Sequence, residues 1–334
     1  MALRGCIAAL VAALAVSCAP AGPRVVVYVS VDQVYAAPIL RRYEERTGVR
    51  VLAVYDVEAA KATGLANRLL AERPRPQADV FWNGEIVQTL RLREGGALAA
   101  YRSPSAAGLP AHYVDPDGYW AGTGGRARVL LVNTSLVAPA DYPASLYDLL
   151  DPKWPADRVG IALPLFGTSA THAAALYAAL GPERALELYR GLAARGVRVV
   201  DGNSVVRNLV ASGELMIGLA DSDDACTAIG RGAPVAAVLP DQSSLGTLVV
   251  PGTVALVAGG PNPAEGRALV DDLLAEATER ELVRSGFAQS SLREGGETQA
   301  CLPNRAVRAL QVDSGRLFEQ LERSRTELTS LFVR

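Results

Sequence analysis

Histidine is nearly missing from this 334-residue chain: there are two, His112 and His172, and neither stands in a nucleophile motif. A Ser/His or Cys/His catalytic pair therefore has little to draw on. His172 falls on a predicted helix, where a packing or solvent-facing role is the ordinary one. There is no GxSxG elbow, Walker A loop, GxGxxG turn after a strand or HExxH helix, which sets aside the main hydrolase, nucleotide-binding and metalloprotease signatures. The four cysteines form no CxxC or Cys/His spacing, so no zinc site is written into the chain. No run of Lys or Arg occurs and the net charge is −2, which removes the electrostatic footprint of a nucleic-acid binder. Internal repeats and low-complexity tracts are absent as well.

What is present begins with Met1–Ala19, one basic residue (Arg4) followed by an apolar run from Cys6 to Val16. That run is shorter than the roughly 20 residues a membrane-spanning helix needs, and it reads as a secretory signal that takes no part in the fold. No later segment is apolar for long enough to span a bilayer. Leu14-Ala15-Val16-Ser17-Cys18 resembles the lipobox of bacterial lipoproteins, with Ala15 where leucine is usual. The resemblance implies Cys18 as the lipidated mature N-terminus, anchored to a membrane without crossing it; cleavage by an ordinary signal peptidase nearby is the alternative. Cys226 and Cys301 remain, and in an exported chain they form a disulfide or stay as two buried thiols.

Half of the residues are hydrophobic and the charges nearly balance, as in a globular chain of about two domains. From Arg24 onward, β-rich runs alternate with amphipathic helical stretches, the pattern of an α/β chain with mostly parallel sheets. Val25–Ser30, Val49–Tyr55, Ala78–Trp82, Ala127–Asn133, Val159–Leu163, Val197–Val200, Leu215–Ala220 and Val235–Leu239 are predicted strands. Ala37–Thr47, stopped by Gly48, and Ala59–Arg73 are predicted helices. Arg102–Pro116 and Val137–Pro155 are proline-rich connections. Asn304–Leu331 has helical periodicity, with Val307, Leu310, Leu317, Leu321, Leu328 and Leu331 on the packing face.

The order of motifs resembles the ferric-ion-binding group of periplasmic ABC-transporter binding proteins. The likeness rests on Val25-Val26-Val27-Tyr28, Thr47-Gly48-Val49, Ala78-Asp79-Val80-Phe81-Trp82, Gly125-Arg126-Ala127-Arg128-Val129, Gly167-Thr168-Ser169, Asn203-Ser204-Val205 and Gly213-Glu214. It implies the type II periplasmic-binding-protein fold, two α/β lobes with a ligand cleft at the hinge. One lobe is expected from 24–126 plus 250–300, the other from 127–249 plus 301–334 with a C-terminal bracing helix. The implied role is an extracytoplasmic, monomeric binding protein that captures a solute by lobe closure and serves an ABC permease and its ATPase, with no covalent step. A ligand-presenting periplasmic sensor is the alternative.

Within that frame, Gly167-Thr168-Ser169-Ala170 lies between an apolar strand and a helix, where free backbone amides and two hydroxyls can hold an oxyanion. Asn203-Ser204 opens another helix in the same way, and Arg126 can add a fork of donors. The plainer readings are an N-cap at Ser169 or Asn203 and a surface ion pair at Arg126. Iron-binding members usually carry adjacent tyrosines shortly after the Gly-Glu strand; here Asp223 and Asp224 occupy those places, and Asp32 falls where another ligand is common. Carboxylates are hard oxygen donors for iron(III), calcium or magnesium, and they also accept an ammonium group. The implied cargo is therefore ferric iron or another hard ion with a synergistic anion such as carbonate. An organic phosphate, a phosphonate or a thiamine-like solute is the alternative. Asp221-Ser222-Asp223-Asp224 also suits an acidic helix start favoured by the dipole. Tyr28 and Trp82 end predicted strands and belong to the core or to the cleft wall.

Overall fold

The computed structural model describes residues 22–55, 63–303 and 307–333, so the signal segment and Cys18 lie outside the described residues, as do the expected starts of the second helix and of the tail. Among the described residues no helix is long and apolar enough to cross a membrane.

The strands are β1 (Arg24–Val29), β2 (Arg50–Tyr55), β3 (Val80–Asn83), β4 (Leu98–Ala99), β5 (Ala121–Asn133), β6 (Val159–Ala162), β7 (Arg198–Val200), β8 (Ile217–Asp221), β9 (Val235–Val238) and β10 (Val249–Val257). The helices are α1 (Gln33–Thr47), α2 (Thr63–Glu72), α3 (Val87–Glu94), α4 (Gly167–Leu180), α5 (Pro182–Arg195), α6 (Asn203–Ser212), α7 (Ser222–Gly230), α8 (Pro263–Leu273), α9 (Glu276–Ser285) and α10 (Ser314–Phe332). Gly48 ends α1 at φ 70°, a left-handed cap that glycine adopts without a Cβ penalty.

The strands join in the order β2-β1-β3-β10-β5-β8-β6-β7, with β4 on β10 and β9 on β5. Two parallel groups, β2-β1-β3 and β8-β6-β7, flank a central antiparallel pair, β5 and β10. The sequence pattern explains the layering, because successive side chains of a strand point to opposite faces. Val25, Val27 and Val29 pack with Ile39, Leu40 and Leu273 on one face, while Tyr28 and Phe81 pack with Leu65, Leu69 and Leu90 on the other. In the second half, Leu130 and Val132 join Leu176 and Leu188, and Val129 and Leu131 join Val206 and Val210. Tyr28 and Trp82 are therefore core residues; Tyr28 donates its hydroxyl to Glu72 at 2.8 Å.

β5 runs to 13 residues, twice the usual length, because it serves both halves: Ala121–Ala127 pair with β10, and Arg128–Asn133 pair with β8 and β9. The register locates the junction. The carboxyl end of β3 (Asn83) meets Thr253, which lies opposite Gly122, whereas the carboxyl end of β8 (Asp221) meets Arg128. The stretch of β5 between Gly122 and Arg128 thus spans the gap between the carboxyl ends of the two parallel groups. It is an irregular stretch: the register with β10 shifts at Pro251/Gly252, and Gly124 has φ 62° with its would-be Cβ 2.7 Å from Ala288. A side chain there would meet both strain and a clash.

α10 begins at Ser314, later than the periodicity suggests, and packs on α4, α5 and α3, so it braces helices from both halves. Leu310, Leu317 and Leu328 are buried as expected, and Val307, Leu321 and Leu331 are partly buried. Cys226 in α7 and Cys301 are joined by a disulfide with Cα atoms 5.2 Å apart, which settles the alternative left open by the sequence.

Candidate functional site

In open α/β sheets, ligands sit outside the carboxyl ends of the strands at a change of strand order. The loops that carry the candidate anion and metal ligands reach that edge. β6 leads into α4 with Gly167, Thr168 and Ser169; β7 into α6 with Asn203 and Ser204; β8 into α7 with Asp223 and Asp224; β1 into α1 through Asp32.

The innermost group is a buried knot around Arg128 and Asp221, whose side chains are 1% and 6% exposed. Arg128 Nη1 donates to Asp221 Oδ1 at 2.5 Å and to Asn203 Oδ1 at 3.1 Å. Asp221 Oδ2 accepts from Thr168 Oγ1 at 2.5 Å and from Asn203 Nδ2 at 3.0 Å. Ser169 Oγ donates to Asn203 Oδ1 at 3.3 Å. Burial disfavours the Asp221 carboxylate, but Arg128, Arg126 and the Thr168 hydroxyl together outweigh it and hold the group below the usual carboxylate range.

The knot decides between the expected roles. The N-cap positions of α4, α6 and α7 are Phe166, Gly202 and Asp221, and none makes a side-chain cap hydrogen bond. Ser169 and Asn203 are not caps: Asn203 is held by Arg128, Thr168 and Asp221, and Ser169 donates to Asn203, so neither side chain serves a helix-start amide. Asp221 stands at the cap position but spends its oxygens on Arg128, Thr168 and Asn203. Ser204 is exposed on the first turn of α6.

Asp221, Asp223 and Asp224 each offer one carboxylate oxygen, and these lie within 4.8 Å of one another. Burial raises the Asp224 carboxyl to about 7, helped by the charges of Asp223 and Asp221. Asp223 is also raised, first by burial and then by Asp221, against the pull of Arg126. Arg126 sits outside the knot. Its Nη2 donates to Gly84 O at 3.1 Å, its Nη1 lies 3.6 Å from Asp223 Oδ2, and its charge faces Asp223, Asp221, Glu85 and Asp32. Arg126 therefore links the two halves electrostatically, with Asp32 and Glu85 on one side and Asp223 on the other.

Three participants are not among the expected site residues: Arg128, which stands only in a family motif, Asp221, which stands only in an acidic helix start, and Glu85, which the sequence does not single out. Arg128 carried a readable signal, a charge inside the apolar run Ala127–Val132, where a buried cation needs a partner. Glu85 accepts from the amides of Val87 and Gln88 at 2.8 and 3.1 Å, and burial raises its carboxyl. His172 is buried, and His112 stacks on Tyr113 with ring centroids 4.1 Å apart.

Hard oxygen donors, guanidinium groups and helix starts without side-chain caps converge between the two parallel groups of strands, a candidate solute site in an architecture of the type II periplasmic-binding-protein fold. The chain belongs to the bacterial extracellular solute-binding protein family, whose profile matches residues 23–288. It is 27% identical over 258 residues to iron uptake protein A1 of a Synechocystis strain, covering 74% of this chain and 69% of that one. Among solved structures it resembles the Bordetella ferric binding protein, with TM-score 0.81, 22% identity and coverage of 92% and 98% of the two chains. It also resembles Trichodesmium IdiA (FutA) in complex with iron and citrate ligands, with TM-score 0.82, 20% identity and coverage of 93% and 100%. At these identities the structural likeness speaks for the fold.

Proposed function

We propose that this chain is the extracytoplasmic binding component of an ABC importer and that its cargo is ferric iron, or another hard cation, held together with an oxyanion. The observation that carries this reading is the convergence of the Asp221, Asp223 and Asp224 oxygens within 4.8 Å beside Arg126 and Arg128. Asp223 and Asp224 would supply anionic oxygens, the donors a hard ion prefers, and Asp32 would approach from the other half. Arg126 and the amides opening α4 and α6 would hold carbonate or a polycarboxylate, with Gly167, Thr168, Ser169, Asn203 and Ser204 lining that subsite. The Synechocystis relative is an iron uptake protein and the Trichodesmium protein is a complex with iron and citrate; both support iron as cargo.

Capture would proceed by closure of the lobes 24–126 plus 250–300 and 127–249 plus 301–334 about β5 and β10, with no covalent step. The closed form would present itself to a permease and its ATPase, as a monomer held at the membrane face by lipid on Cys18. A second reading has its own support: each cluster aspartate is matched by an arginine, a balance that also suits a phosphate- or phosphonate-bearing solute with an amine.

Thermal unfolding with ferric citrate plus bicarbonate, calcium, phosphate and aminoethylphosphonate separates the two. A ligand at 100 times its Kd stabilises by about 2.7 kcal/mol. A shift with iron and none with the phosphorus compounds is the expected result; the reverse pattern overturns the iron reading in favour of the organic solute.

A further inference from the structure

The three carboxylates of the cluster do not stand alone, because each is paired with a different arginine. Asp221 holds Arg128 at 2.5 Å, Asp223 faces Arg126 at 3.6 Å, and Asp224 holds Arg207 at 2.9 Å. The three cations are placed differently. Arg128 is fixed from several sides in the buried knot, and Arg126 is tied to the Gly84 carbonyl of the other half. Arg207 comes from α6, four residues after Asn203, so one face of that helix delivers Asn203 to Asp221 and Arg207 to Asp224. The Arg207 and Asp224 side chains are 17% and 12% exposed, so the pair is shielded from most solvent screening. Arg207 is held by fewer groups than Arg128: besides Asp224, its Nε donates to the exposed Asn208 Oδ1 at 3.1 Å. A second polar atom bears on the cluster: the Asp223 side chain is 39% exposed, but its Oδ1 is sealed from water and has no hydrogen-bond partner among the described residues.

We propose that Arg207 is a built-in competitor for Asp224, a tethered cation that cargo must displace before that carboxylate can serve as a ligand. The proposal rests on the cation reading above. A guanidinium donating to Asp224 Oδ1 occupies one of the two oxygens of a carboxylate that belongs to the cluster, and places a positive charge where a metal ion would bind. Apparent affinity is the intrinsic affinity multiplied by the fraction of molecules with Asp224 released. Because the fraction belongs to the protein, the penalty is the same factor for every cation that displaces the arginine. The consequence is a threshold: weakly held divalent ions such as calcium drop below useful affinity, while an ion with a large intrinsic affinity for hard oxygen donors stays bound.

The test is titration calorimetry of wild type, Arg207→Gln and Arg207→Lys with calcium chloride and with ferric nitrilotriacetate. If Arg207 holds Asp224 about nine-tenths of the time, Arg207→Gln tightens both ions by about tenfold, and by the same factor. Arg207→Lys retains a tethered cation and stays near wild type. Arg207→Met serves if the glutamine variant folds poorly. A gain markedly larger for the trivalent ion indicates plain charge repulsion, which scales with the charge of the ligand, and overturns displacement. Iron binding by wild type with no gain in Arg207→Gln overturns the role of Arg207 alone. No cation binding by wild type, together with a response to a phosphorus compound, removes the cation reading and the competitor with it.

Discussion

Arg128 and Asp221 occupy directly opposed positions on antiparallel β5 and β8, and their side chains close on each other at 2.5 Å in the interior. The pair is the fixed point of the site: Thr168 and Asn203, from two other helices, are held by it and by each other. Removing one partner strands a buried charge, so Arg128→Met is expected to cost roughly 3–5 kcal/mol, read by urea unfolding. Replacing both, as Arg128→Met with Asp221→Leu, is expected to cost less than the sum of the single changes. Strictly additive losses would mean that the two side chains do not depend on each other.

Asp223 is the cluster carboxylate that pairs with Arg126, the residue that also senses Asp32 and Glu85. Asp223→Ala is expected to weaken cargo binding by at least about tenfold, the worth of one lost charged contact of roughly 1.4 kcal/mol or more. Calorimetry checks this, and unchanged affinity removes Asp223 from the site.

Phe166 breaks two local rules at one position. It is 70% exposed, and it stands at the N-cap of α4, where Ser, Thr, Asp and Asn are preferred, with no cap hydrogen bond. Phe166→Ser is therefore expected to stabilise the fold by about 0.5–1 kcal/mol. A loss of that size in thermal unfolding would show that the ring packs against something in solution.

The Cys226–Cys301 bridge closes a loop of sequence separation 75. Chain-entropy arguments assign such a loop about 4 kcal/mol, an upper figure because unfolded chains retain structure. The double change to serine is expected to lower stability by roughly 2–4 kcal/mol in denaturant titration. A change under about 1 kcal/mol would mean that the ends are held together without the bond.

The strands, the helices after them and the edge where the motifs gather are legible in the sequence because burial on both faces writes near-continuous apolar runs, and glycine marks helix ends such as Gly48. The apolar pattern starts β5 only at Ala127, since Ala121–Arg126 is rich in glycine and carries no strand pattern; only pairing with β10 makes it a strand. The site is legible as a set of loops but not as a set of partners. Arg126 and Arg128 are two residues apart, and nothing in their spacing tells which one meets Asp221 and which faces Asp223. That choice is made by the register of β5 against β8, a long-range property.

His172 makes a contribution of definite sign to the pH dependence. It is buried on α4, its Nδ1 has no hydrogen-bond partner among the described residues, and burial, with Arg128 adding to it and Asp221 opposing, lowers its pKa from 6.5 to about 3. As pH falls below 6.5 the unfolded chain takes up a proton that the folded chain refuses, so the contribution of His172 to stability declines toward pH 3. The slope approaches about 1.4 kcal/mol per pH unit for this one group. Asp221, whose folded pKa is depressed, pushes in the same direction at lower pH, when its carboxylate must be protonated. Asp224, whose carboxyl burial raises to about 7, takes up its proton first in the folded chain and opposes that loss over the same window, so the His172 contribution is read as a difference: urea unfolding at pH 6, 5 and 4 is expected to show wild type losing stability toward acid relative to His172→Gln. Parallel curves would mean that His172 takes up its proton in the folded state, and that the carboxylates alone carry the acid sensitivity.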